Sequence, residues 1–257
     1  LPHIYEWAHT GEHHGLHGHL LHHKAGYLNP TFFGIRTVIY FAIWMGFAYA
    51  MVQNSRKQDI EGGITHWNKN IRLSAAFLPL FAITYSMVGF DWLMSLQATW
   101  FSTLFGGLQF AALAQGGFAM LIVLLVLLRK LGYLRSEVNE NHFNTLGQWL
   151  IACSVFWAYL WFSQMMLTWY ANIPEETQYY TIRGFSTQGN PWEFVTIWLN
   201  PIWNFAIPFL LLLPRPSKRN ESLLVRVCIW ILIGRWIDLF ITVMPNFSDK
   251  GPFGFAV

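Results

Sequence analysis

Six continuous apolar runs, near residues 31–53, 71–90, 101–128, 146–171, 192–213 and 223–244, govern what this chain can fold into. A bilayer hydrocarbon core about 30 Å thick needs roughly 20 apolar residues in helical form to cross it, and each run is of that order. With no water at hand, every backbone N–H and C=O must be satisfied within the segment, so each run is expected to be an α-helix. A transmembrane barrel would show short alternating segments instead. The expected fold is all-α: a polytopic transmembrane helix bundle of about six spans over 31–244, with a segment 1–30 before it and a loop 245–257 after it. Only 11% of the residues are charged and 54% are hydrophobic, where a soluble domain carries about 25% charged residues. Lipid-facing surface cannot hold charge cheaply, which accounts for the deficit. A net charge of +3 gives no reason to expect nucleic acid as a partner. No signal peptide is visible between Leu1 and the first run, and Val257 follows a Gly/Pro loop. Both ends are expected to continue into a longer protein with further spans.

The lysines and arginines fall unevenly between the runs. Arg56, Lys57, Lys69, Arg72, Arg129, Lys130, Arg135, Arg215, Lys218, Arg219 and Arg226 belong to one side, and Lys24, Arg183 and Lys250 to the other. Loops rich in Lys and Arg stay in the cytoplasm. The N-terminal segment, a loop at Asp91 and the long 172–192 loop are then expected on the opposite face, the periplasm in a bacterial inner membrane.

A haem held by two histidines within a bundle needs those histidines inside the spans. All ten, His3, His9, His13, His14, His17, His19, His22, His23, His66 and His142, lie outside the apolar runs. Cys153 and Cys228 sit in apolar runs without CxxC spacing, which disfavours zinc or a cluster and reads as buried thiol. No metal or cofactor is expected on this chain alone. His13/His17 and His19/His23 stand at i, i+4 and would chelate a transition metal on a helix, although no third ligand is specified. An interfacial amphipathic segment with histidines on its polar face accounts for the same pattern.

Ionisable residues within a span are a functional signal because they are costly there. Arg235, Asp238 and Thr242 stand three and four residues apart and share one helix face. They read either as an ion pair that neutralises itself, or as a proton-relay step or polar lining near a quinone headgroup. Arg36, early in the first run, can snorkel to the interface. Asp91 directly follows the second run and is either solvated or the mouth of a proton path. Ser163, Gln164 and Thr168 place hydrogen-bonding groups near the end of the fourth run, ahead of Trp169, Tyr170, Asn172, Glu175 and Glu176. This polar aromatic end suits docking of a headgroup or a soluble subunit, or a plain aromatic belt with solvated glutamates. Pro79, Pro201 and Pro208 favour kinks within their spans. Gly106, Gly107, Ala111, Ala112, Ala114, Gly116 and Gly117 allow close helix packing.

These segments together resemble a known family. YEWAH at 5–9, HHKAGYLNPTFFGIR at 22–36, DWLMSL at 91–96, WFSTLFG at 100–106, FSQMMLTWYANIPEET at 162–177 and RWIDLFITVMP at 235–245 resemble the F membrane subunit of bacterial alternative complex III. That subunit groups with the membrane subunits of polysulfide and nitrite reductase-type complexes. The resemblance covers nearly the whole chain, and WYANIPEET is its most specific part. It implies a subunit of about ten spans in a complex that oxidises membrane quinol and passes electrons to a cytochrome c or a terminal oxidase. Haem c and iron–sulfur clusters then belong to partner subunits, beside a homologous membrane subunit. The chain's own part would be quinol binding, proton conduction or scaffolding, and it would not be catalytic alone. Gln97, Ala98 and Thr99 stand where many relatives carry an acid–Pro–His triplet, a departure that puts any role of that triplet in doubt. The rival readings are a secondary transporter or channel, and a purely structural membrane subunit.

Overall fold

In the computed structural model, residues 4–8, 21–134, 137–185, 190–247 and 251–252 are described. The fold is all-α, with no strand among the described residues, and it is that of a multi-pass membrane protein: six helices are long and apolar enough to span a bilayer. The chain divides into two compact units, Leu1–Phe101 and Ser102–Val257. The histidine pairs His13/His17 and His19/His23 include residues outside the described ones.

The first unit is built on a helical hairpin. Helix α1 (Pro30–Glu61) starts where Asn29 accepts from the Phe32 N–H at 2.8 Å and Pro30 supplies a preset φ; it ends at Gly62, whose φ of 69° suits glycine. Helix α2 (Thr65–Gln97) passes through Pro79 as α-helix, then widens to a π-turn over Gly89–Leu93 and closes as 3-10 over Met94–Gln97. The second apolar run was expected to end before Asp91. The helix instead continues, because the Met94 N–H reaches back five residues to Gly89 O. Asp91 is therefore inside a helix and not in a loop.

The second unit is a four-helix bundle with two short helices at its ends. Its spans are α3 (Thr103–Lys130), α4 (Glu140–Ala171), α6 (Phe194–Leu212) and α8 (Glu221–Asn246); α5 (Pro174–Thr181) precedes α6, and α7 (Arg215–Arg219) follows it. Asn139 opens α4 with a capping box in which His142 returns the bond, and Asn172 closes it in the left-handed region at φ 47°. Asn220 caps α8 through the Leu223 N–H at 3.2 Å. Lys218, buried on α7, donates to Leu212 O at 2.8 Å and Leu213 O at 3.0 Å and so satisfies the last carbonyls of α6. The interval 172–192 is not one long loop, since α5 occupies part of it.

Lipid is as apolar as leucine, so helix association in a membrane relies on close packing and buried polar contacts. The bundle divides along its length accordingly. At the end carrying the basic loops, Ile122, Val126, Phe143, Leu150, Leu224 and Ile231 form a dry core. From the middle toward the other end, polar side chains take over. The change coincides with irregularity in α6, which is π-helical over Phe194–Leu199 and Ile202–Ala206. The Ile207 N–H bonds to Ile202 O, five residues back, and Pro208 has no N–H. Trp203 O thus loses both its helical donors and accepts from Trp230 Nε1 at 3.1 Å. Trp203 Nε1 returns a bond to Trp230 O at 3.0 Å, and the two rings stack at 3.8 Å. Gly234 admits this approach: a Cβ there would stand 2.3 Å from Asn204 Oδ1.

Candidate functional site

Each unit holds an ion pair on its spanning helices, buried in the first unit and partly buried in the second, and the pairs differ in how completely they are satisfied. In the first unit, Asp91 is 1% and Arg36 7% exposed. Arg36 Nε meets Asp91 Oδ2 at 2.9 Å and its Nη2 meets Oδ1 at 3.0 Å, a bidentate fork. Tyr27 donates to Oδ1 at 2.8 Å and Tyr40 to Oδ2 at 3.0 Å. Four donors use the carboxylate's acceptor capacity in full. The third guanidinium nitrogen bonds to Tyr27 O at 3.0 Å, and the cation lies over the Tyr27 and Phe32 rings. Burial first, and then the bond to Asp91, raise the Tyr27 hydroxyl to about 12. Arg36 therefore does not snorkel, and Asp91 is not solvated: each is the other's partner across 55 residues of sequence. The first unit is tied further by Tyr5, whose hydroxyl donates to Trp92 O, and by Lys24, whose ammonium reaches Ala98 O at 2.6 Å.

The pair in the second unit is looser and better connected. Arg235 Nη1 stands 3.4 Å from Asp238 Oδ2, as the i, i+3 spacing predicts. Arg235 Nε bonds to Asn204 Oδ1 at 3.0 Å, and its guanidinium lies 4.3 Å from the Trp157 ring centre. Asn200 Nδ2 donates to Asp238 Oδ1 at 2.7 Å, and Asn204 Nδ2 donates to Asn200 Oδ1 at 2.6 Å. From Asn204 the chain of polar groups runs on: Gln115 Nε2 donates to Asn204 O at 2.8 Å and to Ser154 Oγ at 2.7 Å. Gln115 and Ser154 fall near the middle of α3 and α4, so the network begins deep in the bundle. Arg235 packs over Gly116, its Cγ 3.5 Å from where a Cβ there would be, an ordinary van der Waals distance.

Toward the charge-poor end the network opens on a cavity. Asp238, Asn200, Gln109, Gln164, Thr196 and Thr242 supply its polar wall, and Tyr179, Tyr180 and Arg183 close it from α5 and the turn beyond. About 30 Å³ is open to the centres of water molecules. One water needs roughly 10–15 Å³ by that measure, so the space suits about two waters. A quinol ring is several times larger than a water molecule. Both amide atoms of Gln164, the Thr196 hydroxyl, Arg183 Nε and Arg235 Nη2 are buried without a protein partner. Buried polar groups of this kind are costly unless solvated, and a small polar cavity is where water meets that need.

Arg183 was counted among loop charges in the sequence. It is 2% exposed. Its Nη1 bonds to Tyr179 O at 2.8 Å and its Nη2 to Thr242 O at 2.6 Å, and the cation lies 3.5 Å from the Tyr179 ring centre. Burial lowers its affinity for the proton, an effect opposed by the two tyrosines. The same burial raises both phenols, Tyr180 well above the usual value.

The fold thus brings Gln164, Asp238 and Thr242 to one cavity, with Arg235 beside it. Asp91 belongs to the other unit. Ser163 is half-buried, and Thr168 is buried with its carbonyl accepting the Asn172 N–H at 3.0 Å. Trp169, Tyr170, Asn172 and Glu175 are exposed and Glu176 is partly so, at the end of α4 and start of α5. Sequence reasoning passed over Gln109, Gln115, Ser154, Thr196, Asn200 and Asn204. The available signal was Asn200 and Asn204 at i, i+4 inside an apolar run, flanked by Pro201 and Pro208. Compared with known proteins, the chain matches no family model and no curated sequence.

Proposed function

We propose that this chain is a membrane subunit of a quinol:electron-acceptor oxidoreductase of the alternative complex III type, and that its part is proton conduction through the four-helix unit. The observation that carries the reading is the line of hydrogen-bonding side chains from Gln115 through Asn204, Asn200, Arg235 and Asp238 to a water-sized cavity. Asp238 is the one carboxyl group among the residues that line the cavity. A carboxyl within reach of water takes up a proton on one oxygen and releases it again. The amides fix the carboxylate's orientation and do not carry the proton themselves. Room for about two waters favours proton carriage over quinol oxidation at this cavity. Haem c, iron–sulfur clusters, a second membrane subunit and the acceptor, a cytochrome c or terminal oxidase, belong to partner chains in this reading. The polar aromatic segment from Trp169 to Glu176 is the docking region for one of them. The isolated chain is then not an enzyme.

The test is Asp238→Asn in the native assembly, read by quinol-dependent reduction of the acceptor together with proton release. Proton transfer by a positioned side chain contributes roughly 10²–10⁴-fold, so at least a tenfold loss of turnover is expected with haem content and assembly unchanged. Unaltered turnover and proton release would remove Asp238 from the mechanism. A chain that purifies alone and colourless, and moves a solute into vesicles, would favour the transporter reading.

A further inference from the structure

The charges around the cavity do not balance. Two arginines, Arg183 and Arg235, reach this region, and the one carboxylate among the lining residues, Asp238, is taken by Arg235 at 3.4 Å and by Asn200 at 2.7 Å. Among the described residues Arg183 is buried with no acidic partner: two carbonyl oxygens and the face of Tyr179 are what hold it. Those carbonyls, near the ends of α5 and α8, bring only partial negative charge. Beside Arg183, three donors point into buried space without a protein acceptor: its own Nε, the Gln164 amide and the Thr196 hydroxyl. Gln164 is 4% and Thr196 5% exposed, so neither is satisfied at the protein surface. Water would satisfy these donors and leave the charge uncompensated. A buried cation without a counter-charge is the costlier defect.

We infer that the cavity is a binding site for a small inorganic monoanion of the size of chloride, held by Arg183 Nε, the Gln164 amide and the Thr196 hydroxyl. A spherical anion accepts from all three at once, with the Gln164 amide, whose two atoms both lack a protein partner, turned so that its NH₂ faces the ion. The cavity admits about two waters' worth of volume, which accommodates one halide and excludes sulfate, phosphate and organic carboxylates. The neighbouring Trp161, Leu108 and Ile241 keep bulk water away, which strengthens the attraction between guanidinium and anion. The site and the proton path share this cavity, so a bound halide leaves room for about one water at Asp238; halide binding is read without turnover, so the two readings fail separately.

The test uses the full chain, with its native partners where it has them, in detergent or nanodiscs. Thermal unfolding is followed while chloride or bromide replaces gluconate at constant ionic strength. Wild-type protein should gain stability saturably with either halide, and crystals grown in bromide should show an anomalous peak in the cavity. Arg183→Gln should abolish both. Thr196→Val, a milder change at a residue whose hydroxyl has no protein partner, should weaken halide binding about tenfold, the effect of one lost hydrogen bond to a charged group. Equal stability in halide and gluconate, with only water in the cavity, would overturn the inference. So would a saturable halide effect that survives unchanged in both variants.

Discussion

Pro208 lies four residues after Asn204 in α6, and the carbonyl oxygen it leaves without an α-helical donor is the one that Gln115 Nε2 reaches at 2.8 Å. The proline does more than bend a span: it releases an acceptor in the middle of the bundle, and a glutamine from α3 occupies it. Neighbouring helices can re-satisfy backbone freed by proline in this way. The polar line to Asp238 starts from that contact.

Gln115→Leu should therefore destabilise the four-helix unit. It removes two interhelical bonds, to Asn204 O and Ser154 Oγ. Such bonds in membrane bundles average about 0.6 kcal/mol and reach about 1.7 kcal/mol. A loss of roughly 1–2 kcal/mol in reversible unfolding is expected, and a variant as stable as the parent would show that the network is not structural glue.

Gly234→Ala should cost more than its helix propensity returns. The added Cβ would stand 2.3 Å from Asn204 Oδ1 and 2.6 Å from Trp203 Cδ1. Overpacking of this kind costs about 1–3 kcal/mol, and moving Asn204 also disturbs Arg235. Gly117→Ala is the control, because nothing lies within 4 Å of its Cβ position. The two variants should separate clearly in melting temperature; equal melting temperatures would contradict the packing at Gly234.

Asp91→Leu should be the most damaging single change in the first unit, since it leaves the Arg36 guanidinium buried without its counter-charge. Breaking a buried pair on one side costs about 3–5 kcal/mol, whereas replacing both partners with apolar residues is often near neutral. The double variant Arg36→Met with Asp91→Leu should thus recover most of the stability lost by Asp91→Leu. Additive losses would mean that the two side chains are not coupled.

The Tyr27 hydroxyl gives the first unit a pH dependence on the alkaline side. Its acidity in the fold is weakened from the ordinary 10.0 to about 12, by burial and then by its bond to Asp91. Between these values the unfolded chain has lost the proton that the folded chain keeps. The stability linked to this group is complete below pH 10 and falls as pH rises toward about 12. Tyr27→Phe should flatten that part of the profile when unfolding is followed against pH. An unchanged slope would exclude Tyr27 as its source.

How much of the site could be read in advance depended on distance along the chain. The Arg235–Asp238 contact is set by helical geometry alone, because residues three apart share a face. Arg36 and Asp91 looked like an interfacial anchor and a loop acid because nothing local in either segment names the other. Lys24 and Arg183 looked like loop charges for the same reason, and both are fixed by carbonyls far away in sequence. The cavity was out of reach because its walls come from five separate elements, and because short polar residues such as Thr196 and Asn200 barely interrupt an apolar run.

What the sequence determined by itself is the solvent and the helices: length, apolarity and the absence of charge leave a chain no other way to cross a bilayer than as closed helical segments. What tertiary structure decided is which polar groups meet. In a membrane a buried donor has no bulk water to fall back on, so packing must bring it a partner or leave it a small polar cavity. Packing placed Arg36 on Asp91 with every bond made, and left Gln164, Thr196 and Arg183 around a space still short of acceptors.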